Sequence, residues 1–227
     1  MDFEFDAIRR GLPFLWTGFK YTLELTLIAS VGGILFGTLL ALARLSRWTL
    51  LRWLAASYVN LMRAIPLILV IFWFFFLAPL ILQSLIGAER PVMVGAERSA
   101  IITFILFEAA FFCEIVRAGI QSIPRAQLQA AAALGLSDGQ SMRLVVLPQA
   151  FRNMLPVLLT QIIVLFQDSS LVYVISATDF LGAANKLAQR DNTLVEMYIF
   201  VALTYLLLCF GLSRLVKRVH QRIAVQR

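Results

Sequence analysis

Charge is scarce in this chain. Only 15% of its residues are Asp, Glu, Lys or Arg, against about a quarter in ordinary soluble domains. Hydrophobic residues make up 60%, and the mean hydropathy is +0.84. A soluble core cannot absorb that much apolar surface, so the excess must face lipid or other buried helices. Lysine is rare. Lys20, Lys186 and Lys217 are the only three, and none follows a glycine. The chain therefore has no GxxxxGK[ST] phosphate loop and no ATPase motif of its own. The single histidine, His220, lies in a basic tail and reads as solvated. No GxSxG elbow and no aspartyl dyad occur, which argues against an intramembrane enzyme. Cys113 and Cys209 sit inside apolar runs and read as small buried hydrophobes rather than as a disulfide or metal site. The first residues are acidic and polar, so no cleavable signal peptide is expected. No cofactor or metal is expected on this chain.

What is present is long apolar runs. They cover about residues 21–43, 65–86, 99–116, 154–176 and 194–215. A bilayer-spanning helix needs about 20 mainly apolar residues. None of the runs alternates with the period of two of a barrel strand. The reading is an all-α membrane protein with five transmembrane helices, forming one domain over 1–227. Gly33 and Gly37 have the GxxxG spacing that permits close helix approach in lipid.

The basic residues set the orientation. Arg44, Arg47, Arg52 and Arg63 lie around the first connection with no acid among them. Arg117, Arg125, Arg143 and Arg152 flank the third connection against one acid, Asp138. Arg214, Lys217, Arg218, Arg222 and Arg227 follow the fifth run. The other segments are balanced, with Asp2, Glu4 and Asp6 offsetting the N-terminal cations. Basic connections stay in the cytoplasm. Alternate connections come out basic, which predicts an outer N-terminus and a cytoplasmic C-terminus. The net charge of +7 is explained in this way. No basic platform interleaved with aromatics points to nucleic acid.

The 121–151 connection is too structured for a linker. Pro124 suits a first helical turn, the Ala-rich stretch 127–134 favours helix, and Gly135 suits its end. Ser137 and Gln140 have the spacing of a capping box for a second helix, which Leu147-Pro148 is expected to close. The prediction is helix, glycine turn, helix, projecting into the cytoplasm.

Here the sequence resembles a known family. Gln129-Ala130-Ala131, three residues, Gly135, nine residues, Val145, one residue, Leu147-Pro148 is similar to the EAA loop of ABC-importer permeases. Gln129 stands for the usual Glu and Val145 for the usual Ile. Arg63-Ala64-Ile65-Pro66-Leu67, Glu114-x-x-Arg117-x-Gly119-Ile120 and Gln167-Asp168-Ser169-Ser170-Leu171 resemble motifs of the polar-amino-acid branch. The stretches from Val164 to Asp179 and from Arg190 to Met197 most resemble glutamate/aspartate importers. The resemblance implies a type I ABC importer permease fold in a bacterial inner membrane. It implies a second permease, forming a heterodimer, and two ATP-binding subunits that carry ATP and Mg. A periplasmic or lipid-anchored amino-acid-binding protein would deliver the substrate. Gln129, Ala130, Ala131, Gly135, Val145, Leu147 and Pro148 would then couple to the ATPase.

Charges inside spans are costly and usually face a cavity or a partner. Glu108 and Asp168 lie at compatible depths, so they are candidates for the substrate path, with Gln167, Ser169 and Ser170 as hydrogen-bonding neighbours. The alternative is that these groups only pack adjacent helices. Glu114 and Arg117, one helical turn apart near the cytoplasmic end, read as an intrahelical pair or as a contact with the 121–151 connection, rather than as substrate contacts. Two intramembrane carboxylates suit an ammonium or guanidinium, whereas the resemblance points to acidic amino acids. A basic-amino-acid importer and an ion-coupled secondary transporter stay open as alternatives. The secondary transporter would commonly carry an internal repeat, and none is found.

Overall fold

A computed structural model describes residues 5–90 and 94–223, and its elements are all helical. Asp2, Glu4 and Arg227, used above for charge balance, lie outside the described residues. The helices are α1 (Phe5–Leu45), α2 (Thr49–Ala64), α3 (Leu67–Ile86), α4 (Ala96–Gln121), α5 (Arg125–Ala133), α6 (Asp138–Ile175), α7 (Phe180–Asp191) and α8 (Leu194–Ile223). Among the described residues five of them, α1, α3, α4, α6 and α8, are long and apolar enough to cross a membrane. The five apolar runs of the sequence fall on these five helices.

Packing centres on α4. It runs parallel to α1 through a seam of small residues. A Cβ on Gly37 would lie 2.7 Å from the Ala109 carbonyl oxygen and 2.9 Å from the Cys113 nitrogen. One on Gly33 would meet the Phe112 ring at 3.0 Å and Glu108 Cβ at 3.2 Å. The glycines therefore let two backbones approach to a distance that side chains would forbid. Phe104, Phe107 and Phe112 of α4 fill the main core with Leu25 of α1, Val70 and Ile71 of α3, and Leu165 of α6. By contrast α3 and α8 leave most of their apolar surface uncovered, with Leu85 at 77% and Leu207 at 70% exposure. An uncovered apolar surface of this extent suits contact with lipid or another subunit.

Proline explains the irregular points. Ile65 precedes Pro66 and is extended (φ −108°, ψ 137°), which separates α2 from α3. Pro124 likewise stands in the break between α4 and α5, as the N-cap of α5, whereas the prolines of α1, α6 and the later part of α3 do not stop their helices. Pro79 follows a π-helical turn at Trp73–Leu77, and Pro148 follows another at Met142–Val146. The ring clashes with the carbonyl four residues earlier, and the wider turn gives it room. The expectation that Leu147-Pro148 closes the second loop helix is thus corrected. α6 passes through Pro148 without a break, from the loop to Ile175. At about 1.5 Å per residue the stretch Asp138–Asp168 spans about 46 Å, and the last seven residues, Ser169–Ile175, continue it as a tighter 3-10 helix.

Short α7 is folded back between α6 and α8. Asp179 caps it, its carboxylate accepting from the backbone N–H groups of Gly182 (2.9 Å) and Leu181 (3.1 Å). The Thr22 hydroxyl of α1 accepts from the Phe180 N–H at 3.0 Å. Phe180, Ala183 and Leu187 then pack with Leu15 of α1 and Met197 of α8.

Candidate functional site

The first group of candidate residues lies within the bundle. Glu108 is fully buried on α4. The Gln161 side-chain amide of α6 donates to its carboxylate at 2.9 Å. The other carboxylate oxygen has no hydrogen-bond partner among the described residues. Asp168 lies seven residues beyond Gln161, on the same face of α6 and partly buried. Glu108 and Gln161 are thereby joined where α4 meets α6, and Asp168 follows about 10 Å further along α6.

The neighbours of Asp168 are not gathered with it. Successive helical residues turn by about 100°, so they point in different directions. Gln167 is exposed, Ser170 is half-buried, and Ser169 is buried with its hydroxyl donating to the Phe166 carbonyl at 2.7 Å. Gln161, absent from the expected set, is the closest polar partner that Glu108 has. Its seven-residue offset from Asp168 in an apolar run was the available signal.

A second polar centre closes the far end of α4. Glu114 accepts from Arg117 Nη2 at 2.6 Å and from Nε at 3.0 Å, the intrahelical pair expected from spacing. It also pairs with Arg44 at the end of α1, and Arg63 approaches to 3.6 Å. The Arg63 guanidinium lies 5.6 Å from the centre of the Phe111 ring. One carboxylate thus meets three guanidiniums from α1, α2 and α4. Such clustering satisfies a partly buried acid and leaves a local surplus of positive charge.

The third group is the loop hairpin. α5 ends at Gly135, whose φ of +78° is left-handed. The Leu136 N–H donates to the Ala131 carbonyl at 3.1 Å and the Gly135 N–H to that of Ala132 at 2.9 Å. These are the two bonds of a Schellman ending. Ser137 and Gln140 make the reciprocal capping box. Gln129 and Ala130 are exposed, Ala131 is buried, and Leu134 at the tip is 82% exposed. The hairpin is tied to the bundle at its base. Asn153 of α6 donates to the Ser122 hydroxyl at 2.8 Å, and Ile123, Val146 and Ala150 pack together. Val145, Leu147 and Pro148 lie in and just after the π turn. Among the described residues no cluster of His, Cys, Asp and Glu is arranged to hold a metal ion.

Comparison with known proteins is consistent along almost the whole chain. Over 223 residues it is 47% identical to the glutamate/aspartate import permease protein GltK of Escherichia coli, covering 98% of this chain and 99% of that one. It is 36% identical over 199 residues to a probable amino-acid ABC transporter permease of Bacillus subtilis, covering 88% and 84%. A crystal structure of an amino acid ABC transporter with histidines superposes with a TM-score of 0.88 at 28% identity, covering 98% of this chain and all of that one. Residues 33–225 match the family described as binding-protein-dependent transport system inner membrane component, and the chain belongs to that family.

Proposed function

We propose that this chain is the permease subunit of an ATP-driven importer that carries glutamate and aspartate across the bacterial inner membrane. The observation that carries the reading is the 47% identity, over nearly the full length of both chains, to a glutamate/aspartate import permease. The N-terminus is outside and the C-terminus cytoplasmic, as the basic connections dictate. The chain works with a second permease, two ATP-binding subunits that carry ATP and Mg, and an extracytoplasmic amino-acid-binding protein. It forms one permease domain over 1–227.

The coupling segment is the hairpin 121–151. Leu134 at its tip and Gln129 and Ala130 beside it are exposed, which supports docking of the hairpin in a groove on an ATPase partner. Closure of the ATPases would push the hairpin. α6 would transmit the push without interruption, because one helix carries both the π turn beside the hairpin and Asp168. Asp168 and Glu108 line the substrate path in this mechanism. The surplus positive charge at Arg44, Arg63 and Arg117 supplies an attraction for an anionic substrate that the two carboxylates lack.

A second reading follows from the same carboxylates. The buried Glu108, and Asp168 further along α6, are carboxylates that suit a cationic side chain, so a basic amino acid is the competing substrate. The test is uptake of labelled glutamate, aspartate and arginine into proteoliposomes holding the assembled complex, with ATP inside and binding protein outside. Glutamate and aspartate entering only with ATP, and failing to enter with Gly135→Asp, is the expected result. Arginine entering instead would overturn the substrate. Uptake that ignores ATP and Gly135 would overturn the importer mechanism.

A further inference from the structure

A groove runs between α1, α6 and α8 on the outside of the bundle. Phe19 of α1, Ile163 and Phe166 of α6, and Leu212, Val216 and Val219 of α8 line it, and almost none of its surface is polar. It holds about 410 Å³. Along α8 it extends from Leu208 to Val219. At about 1.5 Å per residue that is about 16 Å, the depth of one leaflet of a hydrocarbon core about 30 Å thick.

A second, more polar hollow adjoins it and shares Val216. Thr160, Ser213, Lys217 and His220 contribute polar groups there. Lys217 makes no ion pair among the described residues. Arg214, on the same stretch of α8, lies with its guanidinium 4.5 Å from the centre of the Phe210 ring. No acid lies on α8 after Glu196. The groove thus has an apolar floor one leaflet deep and a cationic, hydroxyl-bearing mouth.

We propose that this is a binding site for one anionic phospholipid. An acyl chain fills the groove, and the phosphate sits between Lys217 and His220, with the Ser213 hydroxyl as a donor. The arrangement matches both halves of the molecule. The groove offers apolar wall to the chain, and the mouth offers charge to the phosphate at the level where α8 leaves the membrane. This placement rests on the cytoplasmic orientation of the α8 tail given under the proposed function.

The test uses the assembled complex in nanodiscs containing phosphatidylglycerol or phosphatidylcholine with a photoreactive acyl chain, read by peptide mass spectrometry. Phosphatidylglycerol is expected to label the peptides holding 159–166 and 208–219. It should do so about fivefold more than phosphatidylcholine, the effect of about one cationic side chain at an anionic lipid. Lys217→Glu combined with His220→Gln should remove that preference and leave labelling of the exposed Leu80–Leu85 face of α3 unchanged. Equal labelling by both lipids in the wild type would overturn the site. So would a groove that no lipid labels because the second permease covers it. Lys217→Cys, probed with a membrane-impermeant thiol reagent in oriented vesicles, reports orientation separately. A wrong topology is thereby distinguished from a wrong lipid site, and neither readout depends on uptake.

Discussion

Gln161 donates its side-chain amide to the Glu108 carboxylate at 2.9 Å and so bonds α6 to α4 inside the bundle. Glu108 is fully buried, and its second oxygen has no partner among the described residues. Replacing Gln161 by Leu takes away the bond and strands the acid, which should cost about 1 to 3 kcal/mol. Glu108→Gln keeps a carbonyl acceptor for Gln161 and removes the buried charge, so its cost should be smaller. The double variant Glu108→Leu with Gln161→Leu should cost less than the sum of the two single leucine variants, because neither partner is stranded. Thermal unfolding in detergent gives these differences. Loss of uptake in Glu108→Gln at unchanged stability would support the path role, and retained uptake would make Glu108 a packing group.

The seam between α1 and α4 predicts a ranking among glycines. A methyl on Gly37 meets backbone atoms at 2.7 and 2.9 Å, which cannot move aside cheaply. On Gly33 its nearest contacts are side-chain atoms at 3.0 to 3.2 Å. Gly211 has no neighbour within 4 Å and stands inside α8. Gly37→Ala should destabilise by about 1 to 3 kcal/mol, the usual range for overpacking. Gly33→Ala should cost less. Gly211→Ala should be neutral or stabilise by up to about 1 kcal/mol, through helix propensity. Melting temperatures of the purified variants test the order, and equal losses at Gly37 and Gly211 would contradict it.

These two sets of residues also mark what could be read from the sequence. Glu108 and Asp168 stood out because charge is costly inside an apolar run. Gly33 and Gly37 stood out by spacing, and Gly135 by its place after an Ala-rich helix. Such signals are local. The bond from Gln161 to Glu108 and the meeting of Arg44 with Glu114 join residues 53 and 70 apart, and no local periodicity encodes them. Pro148 misled for a physical reason. Proline ends a regular α-helix, but a π turn before it removes the clash, and hydrophobic pattern alone does not reveal a wider turn. Gln167 to Ser170 read as one polar group in sequence, but helical geometry points them apart.

The Glu114 cluster predicts unequal losses. Arg44 and Arg117 are 16% and 28% exposed in their side chains, whereas Arg63 is 43% exposed and stands 3.6 Å away. Glu114→Gln leaves three neighbouring cations without their acid and should be the most harmful, at about 2 to 4 kcal/mol. Arg44→Gln should come next, because it also unties α1 from α4. Arg63→Gln should cost under about 1 kcal/mol. Chemical denaturation of the purified protein checks the order. A Glu114→Gln variant as stable as Arg63→Gln would mean that the cluster is solvated rather than structural.

Gly135 separates two roles by a graded series. Its φ of +78° is a region that asparagine tolerates and alanine does not. A Cβ there meets nothing within 4 Å, so space in the isolated chain is not the constraint. Gly135→Ala should destabilise by about 1 kcal/mol and Gly135→Asn by less. If glycine serves only to end α5, Asn should retain nearly full ATP-dependent uptake and Ala should lose little. If the tip seats against an ATPase, both variants fold and insert normally, yet uptake falls with side-chain size, Asn below Ala. The coupling reading predicts the second pattern. Uptake that follows backbone strain, with Ala below Asn, would assign Gly135 to helix termination alone.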